Sequence, residues 1–281
     1  MTTSSKAPRS RLTASTAADD NTETPAADQR ADDPLFVGSL EKGMRVLEAF
    51  RDSADSLGLT DIARVTGLGK SASQRFAYTW ERLNYLVKDQ QSRRYRLGPR
   101  VVELGYFFLR NDRLVAMAVP HLVALRDRCG LAVNMSVLAG QDMIYLLRLP
   151  SRQLTLNEML PGRRMPAWSN SAGRMLLTQF DDDAVLSVLQ RSPRQPFTAR
   201  TTVEPDELLA AIRKAREDGY ALTESQVLQN QVGAAVLVRD GRQFPLAAIS
   251  VSAAGHDYPR ERLVREIVPE LFQTAQAVCP A

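Results

Sequence analysis

The chain has 281 residues, 44% hydrophobic and 24% charged, which allows one large domain or two smaller ones with a packed core. No apolar run approaches the roughly 18 residues of a membrane span, and the N-terminus lacks the apolar core of a signal peptide, so we expect a cytoplasmic protein without membrane contact. The only two cysteines, Cys129 and Cys279, are far apart, which argues against a disulfide framework or a cysteine-rich zinc site.

The net charge of +4 is unevenly distributed along the chain. Residues 1–37 carry 4 basic and 6 acidic side chains, whereas residues 38–110 carry 13 and 8. Between Lys70 and Arg100 there are 8 basic side chains and 2 acidic ones. Such a concentration of positive charge is typical of a surface that meets phosphates, although a solvated basic face would give the same count.

The first predicted helix follows a polar N-terminal segment. Residues 1–36 contain almost no large apolar side chains, so we expect a disordered tail. Ser39 is suited to cap the helix, and its predicted apolar stripe is Leu40, Met44, Leu47 and Phe50.

A short second helix and a longer third helix follow. Thr60 is suited to cap the second helix, and Gly67 stands where a left-handed residue would end it. We expect the third helix to run from about Lys70 to Leu86. Its predicted core stripe consists of Ala72, Phe76, Thr79, Trp80, Leu83, Leu86 and Val87. The opposite side is polar and faces outward.

Two extended segments, Tyr85–Lys88 and Tyr95–Leu97, flank a polar turn and predict a basic hairpin. Helix, helix, tight turn, helix and basic hairpin are the layout of a winged helix-turn-helix, here over residues 37–98. Its Gln, Ser and Arg side chains can bond base edges in the major groove, and the hairpin arginines can neutralise phosphates. The residues that we expect to contact DNA are Lys70, Ser71, Ser73, Gln74, Arg75, Arg93, Arg94 and Arg96. A helix face that only meets solvent is the alternative.

A connecting helix is predicted over residues 99–112, with Pro99 near its start. Phe107 and Phe108 are adjacent and cannot both face one narrow stripe, so a helix that packs against a second subunit would use both. Packing within a single core is the alternative.

Residues 113–281 have the pattern of a separate α+β domain. Short turns join several neighbouring strands, so we expect an antiparallel sheet with helices packed on it. The predicted strands are Ala132–Leu138, Met143–Leu149, Gln153–Met159, Tyr220–Glu224, Ala234–Val238 and Pro245–Ser252. The predicted helices span about residues 114–129, 172–180, 183–191, 205–218 and 259–278.

Several segments resemble the IclR family of bacterial transcription regulators. "SLEKGMRVLEAF", "LGLTDIARVTGLGKSASQRFAYTWERLNYL" and "RRYRLGPRVVELG" are similar to its DNA-binding segment, and "PGRRMPAWSNSAGRMLL", "AIRKAREDGYAL" and "AAISVSA" to its effector domain. The resemblance covers about residues 37–278. It implies a winged helix-turn-helix, a linker helix, a GAF-like effector domain, and dimers or tetramers that bind palindromic operators in double-stranded DNA.

Two departures from the family pattern bear on operator and ligand. Ala72 and Ser73 stand where the family often has Thr or Val. The family commonly has an acidic segment after "GY" and then a Gly-x-Arg-Cys/Ser stretch, where this chain reads "ALTESQVLQNQVGAAVLV". The counterparts are Glu224 (or Thr223) and Ala234, so a cysteine or serine contact is missing.

The segment "AWSNSAGRMLL" places small polar residues before a helix, whose first amide groups are a natural seat for a carboxylate or phosphate. Capping by Ser169 or Asn170, with Trp168 in the core, is the alternative; the resemblance, in which this loop borders the effector pocket, favours ligand contact. We expect a small organic acid, such as an intermediate of aromatic catabolism. The expected pocket residues, with Arg148 or Arg163 assisting, are Met135, Val137, Leu156, Met159, Trp168, Ser169, Asn170, Ser171, Ala172, Gly173, Glu224, Ala234 and Ile249.

The sequence carries little sign of enzymatic chemistry. It has no P-loop, dinucleotide fingerprint or nucleophile elbow, and His121 and His256 are isolated, so we expect no cofactor and no metal. A hydrolase that uses Cys129 and an architectural DNA-binding protein without a ligand are the alternatives. Cys129 has no evident base, and the large second domain is not needed to wrap DNA. The sequence therefore predicts a ligand-responsive regulator of catabolic genes.

Overall fold

The structure is a computed structural model that describes residues 33–51, 56–151 and 160–278. Contacts within the chain divide it into a segment that ends at Gly38 and a unit that begins at Ser39. The predicted strand Gln153–Met159, with the expected pocket residues Leu156 and Met159, lies outside the described residues, as does most of the predicted tail.

Three helices form the first part of the chain: α1 (Gly38–Glu48), α2 (Leu59–Thr66) and α3 (Lys70–Arg82). The amide of Gly58 donates to the carboxylate of Asp61 (3.1 Å), so α2 begins before Thr60 and the prediction that Thr60 caps it is wrong. Gly67 has a φ of 69°, which confirms the predicted left-handed end of α2.

The three helices and the hairpin share one core, made by Val46, Phe50, Ile62, Ala77, Leu86 and Tyr95. The indole of Trp80 donates to the carbonyl of Gly43 (2.8 Å) and joins α3 to α1. The apolar stripe of α1 differs from the prediction, because Val46 is buried whereas Leu40 and Met44 are exposed.

The hairpin consists of β1 (Leu86–Lys88) and β2 (Tyr95–Leu97), which are antiparallel with Val87 opposite Arg96. Leu57, just before α2, exchanges two backbone hydrogen bonds with Tyr95 (2.9 and 2.8 Å). Helix α4 (Arg100–Asn111) follows and buries none of its residues.

The second part of the chain begins with α5 (Arg113–Cys129), which ends at Gly130 in a left-handed conformation. Six strands then form one sheet: β3 (Ala132–Ala139), β4 (Asp142–Leu149), β5 (Arg164–Pro166), β6 (Tyr220–Glu224), β7 (Gln231–Arg239) and β8 (Pro245–Ala254). Their order is β5-β4-β3-β8-β7-β6 and every neighbouring pair is antiparallel, which confirms the predicted sheet. The short strand β5 was not predicted.

Helices cover both faces of this sheet. One face packs against α5 and the C-terminal helix, which consists of α9 (Arg260–Arg262), a π-helical turn (Leu263–Ile267) and α10 (Val268–Val278). The other face packs against α6 (Ser171–Leu177) and α8 (Pro205–Asp218), beyond which lies α7 (Asp182–Arg191). Buried strands that are covered on both faces have apolar residues at odd and even positions alike, so alternation does not identify their faces.

Candidate nucleic-acid interface and ligand cavity

The outer side of α3 presents donors and acceptors to solvent. Lys70, Ser71, Gln74 and Arg75 are all exposed there, in agreement with the predicted polar side. Tyr78 lies on the same side, one turn after Gln74, and is 59% exposed. A phenol at this position adds a hydrogen-bonding group and an aromatic face that the predicted DNA contacts did not include.

Ser73 does not belong to this outer side. Its side chain is 0% exposed, and Ala77 is buried beside it on the inner face of α3. The expectation that Ser73 contacts DNA is therefore wrong. Small side chains at positions 73 and 77 let this side of α3 pack closely against the core. Thr79 and Leu83, which were predicted to be in the core stripe, are exposed.

The hairpin arginines differ in their surroundings. Arg93 has a φ of 60° at the turn, and Arg93 and Arg96 are both exposed. Arg94 instead folds back: its Nε donates to the hydroxyl of Ser56 (3.0 Å), its Nη2 to the Ser56 carbonyl (2.6 Å), and Nη2 lies 3.2 Å from Asp61 Oδ2. The amide of Gly58 and the nearby Arg94 keep the pKa of Asp61 below its usual value. Arg94 thus joins the hairpin to the start of α2.

Helix α4 presents a large apolar surface. Five of its aromatic and aliphatic side chains are more than half exposed: Val102, Leu104, Tyr106, Phe107 and Phe108. Such an exposed apolar surface is typical of a protein–protein contact.

A cavity with a volume of about 690 Å³ lies against the sheet, and we call it the ligand cavity. Its floor consists of polar or small residues on four neighbouring strands: Asn134, Thr223, Gly233, Ser250 and Ser252. The register aligns Asn134 with Ser250, and Gly233 with both Thr223 and Ser252. Of these residues only Thr223 was named from the sequence, as the alternative to Glu224, although polar side chains inside otherwise apolar strands are a signal of a site.

Two arginines line one part of this cavity. Arg148, on β4, stacks over the ring of Tyr145 at 4.2 Å, and its Nε lies 3.3 Å from Asn134 Oδ1. The backbone amide of Tyr145 donates to the carbonyl of Arg163 (3.0 Å), which brings the second arginine close. Burial raises the pKa of Tyr145 although both arginines oppose this, so its hydroxyl is a hydrogen-bond donor at neutral pH. Both arginines were proposed from the sequence as assisting residues.

The start of α6 forms another part of the wall. Asn170 caps α6 by accepting from the amide of Gly173 (3.0 Å), while its buried Nδ2 has no hydrogen-bond partner among the described residues. A Cβ at Gly233 would lie 3.0 Å from Ser171 Oγ and 3.1 Å from Thr223 Oγ1, so glycine at this position keeps space between these hydroxyls. Of the loop that was expected to bind the ligand, Asn170 and Ser171 line the cavity.

The expected apolar walls lie elsewhere. Met135, Val137, Ala234 and Ile249 face the opposite side of the sheet, in the core formed with α5 and α10. The prediction selected apolar residues of the strands, whereas the cavity is lined by the residues next to three of them: Asn134, Gly233 and Ser250. A one-residue error moves every side chain of a strand to the other face.

The remaining loop residues have structural roles. Trp168 is fully buried and its indole donates to Ser192 Oγ (3.2 Å), while Ser169 Oγ donates to the Pro166 carbonyl (2.7 Å). Ala172 packs in the core between the sheet and α6.

Gly173 does not line the cavity but lies against the backbone, since a Cβ there would clash with the Ala167 carbonyl oxygen. Glu224 is exposed and pairs with Arg200 (3.0 Å), and its neighbour Thr223 lines the cavity instead.

Cys129 also lines the cavity, at the end of α5. Burial raises the pKa of its thiol, so the protonated form prevails at neutral pH and the group is a poor nucleophile. Within the described ranges, no three His, Cys, Asp or Glu side chains are placed to hold a metal ion, and no helix there has the length and apolarity to cross a membrane.

A winged helix-turn-helix with a polar exposed third helix, followed by a domain with a polar, arginine-lined cavity, defines a ligand-responsive DNA-binding regulator. Comparison with known proteins agrees. Residues 39–90 match the IclR helix-turn-helix domain, and residues 107–280 match the bacterial transcriptional regulator IclR C-terminal domain. The chain belongs to the IclR family.

Among its relatives is the Pca regulon regulatory protein of Pseudomonas putida, which is 30% identical over 88% of this chain and 84% of that protein. The crystal structure of an IclR family transcriptional regulator from Brucella abortus is 27% identical, covers 90% of this chain and 96% of its own, and gives a TM-score of 0.77. An IclR homologue from Microbacterium hydrocarbonoxydans, crystallised with 4-hydroxybenzoate, shares the fold at 24% identity, with a TM-score of 0.69 over 85% of this chain and 97% of its own.

Proposed function

We propose that this protein controls catabolic genes in the cytoplasm by binding a palindromic operator as a dimer or tetramer, and that a small organic acid sets its affinity for DNA. We assign DNA binding to residues 37–98, the linker to residues 99–112 and effector binding to residues 113–281. The observation that carries the proposal is an arginine-lined polar cavity in the same chain as an exposed, donor-rich third helix.

On the DNA side, Ser71, Gln74 and Arg75 supply contacts to base edges or nearby phosphates. Their exposure on one side of α3 supports this assignment. Lys70 and the exposed hairpin arginines, Arg93 and Arg96, supply charge for phosphates. Arg94 contributes mainly by holding the hairpin against α2, because its guanidinium is already bonded to Ser56 and Asp61.

The proposed self-association agrees with binding to a palindromic site. Two copies of a helix-turn-helix related by a twofold axis present two third helices to half-sites about one helical turn apart. The exposed aromatic surface of α4, including Phe107 and Phe108, supports pairing through this helix.

On the effector side, the charges of the cavity favour an anion. Among the described residues that line it, Arg148, Arg163 and Arg262 stand against one carboxylate, that of Asp257. We assign anion binding to Arg148 and Arg163, which lie together beside Tyr145, whereas Arg262 pairs with Glu266 (2.8 Å). The hydroxyls and amides of the floor complement oxygen atoms elsewhere on the ligand. The name of the Pseudomonas putida relative, a regulon regulatory protein, supports control of a set of genes by this chain.

We propose no enzymatic role. The alternative of a hydrolase depends on Cys129, whose thiol stays protonated and whose Sγ lies near the Arg126 carbonyl (3.9 Å). The described residues that line the cavity include no histidine to act as its base.

The test is fluorescence anisotropy on DNA fragments from upstream of the gene, titrated with protein in the presence of candidate effectors. The panel contains 4-hydroxybenzoate, hydroxylated aliphatic acids and the neutral amide of each. We expect specific binding to one fragment, a shift in affinity with an acid but not with its amide, and relaxed preference at one base pair for Gln74→Ala. A folded protein with no affinity for any fragment at low salt would contradict DNA binding, and equal responses to acid and amide would contradict the anionic effector.

A further inference from the structure

Arg174 is a buried cation with only neutral partners. It lies on α6 and is 5% exposed. Its Nε donates to the carbonyl of Trp168 (2.9 Å), and its Nη2 donates to the amide oxygen of Gln226 (2.7 Å). Within the described residues it forms no ion pair, and burial alone lowers its pKa to about 10. The guanidinium is therefore charged at neutral pH and has no carboxylate partner among the described residues.

An uncompensated buried charge is costly, and buried cations in proteins are therefore paired or hydrogen-bonded to anions. A guanidinium carries five N–H donors, and the two bonds to Trp168 and Gln226 use two of them. The remaining N–H donors of Arg174 can bind a ligand if a cavity opens onto the guanidinium.

Such an opening exists. A second cavity of about 330 Å³ lies between α6, α8 and β6, and Arg174 is part of its wall. Two carboxylates also line it, but both are neutralised: Asp218 pairs with Lys214 (3.0 Å) and Glu224 pairs with Arg200 (3.0 Å). The exposed Arg260 is a further cation on the wall.

The second cavity and the ligand cavity have separate cations but share part of one wall. Arg148 and Arg163 line only the larger cavity, and Arg174 lines only the smaller one, whereas Thr223 and Gln226 line both. The carboxamide of Gln226 is held in place by Thr202, whose amide donates to it (3.0 Å), and by its own donation to the Arg200 carbonyl (2.8 Å). This side chain therefore separates the guanidinium of Arg174 from the ligand cavity.

We propose that the second cavity is an anion site, in which Arg174, with Arg260 beside it, binds a small oxyanion: a carboxylate or a phosphate. The planar guanidinium presents parallel N–H groups that match two oxygens of either anion. The bound anion supplies the countercharge that the protein does not. It occupies a site distinct from that of the effector.

The experiment measures thermal unfolding of the full-length protein as inorganic phosphate or acetate is titrated at constant ionic strength, with sodium chloride as the balancing salt. We expect the Tm of the wild type to rise with at least one of the two, because a ligand that binds only the folded state stabilises it. A larger response to phosphate identifies a phosphate site, and a larger response to acetate identifies a carboxylate site. No response to either would overturn the proposal.

Substitutions then locate the response. Gln226→Glu places a carboxylate within reach of the Arg174 guanidinium and should abolish the response to added anion. Arg260→Ala, at an exposed position, should weaken the apparent affinity several-fold without affecting folding. Arg191→Ala removes an exposed arginine that does not line the cavity and should leave the response intact.

The double variant Arg148→Gln/Arg163→Gln separates this site from the ligand cavity. It should retain the response to phosphate or acetate. If it loses the response while Gln226→Glu and Arg260→Ala keep that of the wild type, the anion binds in the ligand cavity and the second site does not exist. That outcome would leave the proposed effector binding intact.

Discussion

Replacement of Arg148 by glutamine tests the anionic effector site most directly. The side chain lies on β4 in the wall of the ligand cavity, stacked over Tyr145 and bonded to Asn134. Glutamine keeps a polar side chain but removes the charge. We expect the variant to fold and bind DNA, and to bind its acid effector much more weakly.

The magnitude follows from the contacts that are lost. A charge-assisted hydrogen bond is worth about 1.5–3 kcal/mol, which corresponds to a loss of affinity of about 10- to 100-fold. The loss in folding stability is smaller. The 3.3 Å hydrogen bond to Asn134 and the stacking over Tyr145 at 4.2 Å together contribute about 1–2 kcal/mol to the free energy of unfolding.

Isothermal titration calorimetry with the acid and its amide measures the effect, and Arg164→Gln is the matched control. Arg164 is one residue from Arg163, but it pairs with Asp142 (2.6 Å) and does not line the cavity. It should leave effector affinity unchanged. Equal losses in the two variants, or equal affinity of the wild type for acid and amide, would refute the reasoning.

Three further predictions concern the DNA-binding part of the chain. Ser73→Ala should raise the free energy of unfolding by about 1 kcal/mol, because the buried Oγ has no described hydrogen-bond partner. The same substitution should leave the DNA dissociation constant unchanged. Weaker DNA binding would show that Ser73 reaches the nucleic acid. Arg94→Ala should lower both thermal stability and DNA affinity. Arg93→Ala should lower DNA affinity alone, and it should reduce the slope of log affinity against log salt concentration by about 0.9 for one lost phosphate contact. An unchanged Tm in Arg94→Ala would contradict the link to α2. Phe108→Glu should shift the protein toward the monomer in analytical ultracentrifugation, and an unchanged mass distribution would place the subunit contact elsewhere.

The helices could be predicted closely because their ends carry local signals. Gly67, Gly130 and Gly219 each adopt positive φ at a helix end, and a glycine after an apolar helical pattern is visible in the sequence. The face that a helix buries is less accessible. The inner face of α3 centres on Ser73 and Ala77, and neither residue is large enough to mark a core position in the sequence.

The apolar residues that were predicted to line the ligand pocket lie on the same sheet as the cavity but face away from it. Both Met135 and Asn134 are buried in β3, as are Ile249 and Ser250 in β8, so burial does not separate the two faces. Apolar residues were taken as pocket walls, but they pack against α5 and α10, where the sheet needs an apolar surface. Buried polar residues in such strands are favoured where a cavity or a hydrogen-bond partner receives them. That argument identifies Asn134 and Ser250 from the sequence.

The exposed apolar surface of α4 bears on how operator occupancy depends on the concentration of the protein. In the proposed pairing through α4, its exposed apolar side chains are buried on association, and association follows mass action. Dilution of such a dimer separates the two third helices as well. Occupancy of an operator with two half-sites should then rise more steeply than the first power of protein concentration. Modest changes in the rate of protein synthesis would therefore produce a sharp transition between free and occupied DNA.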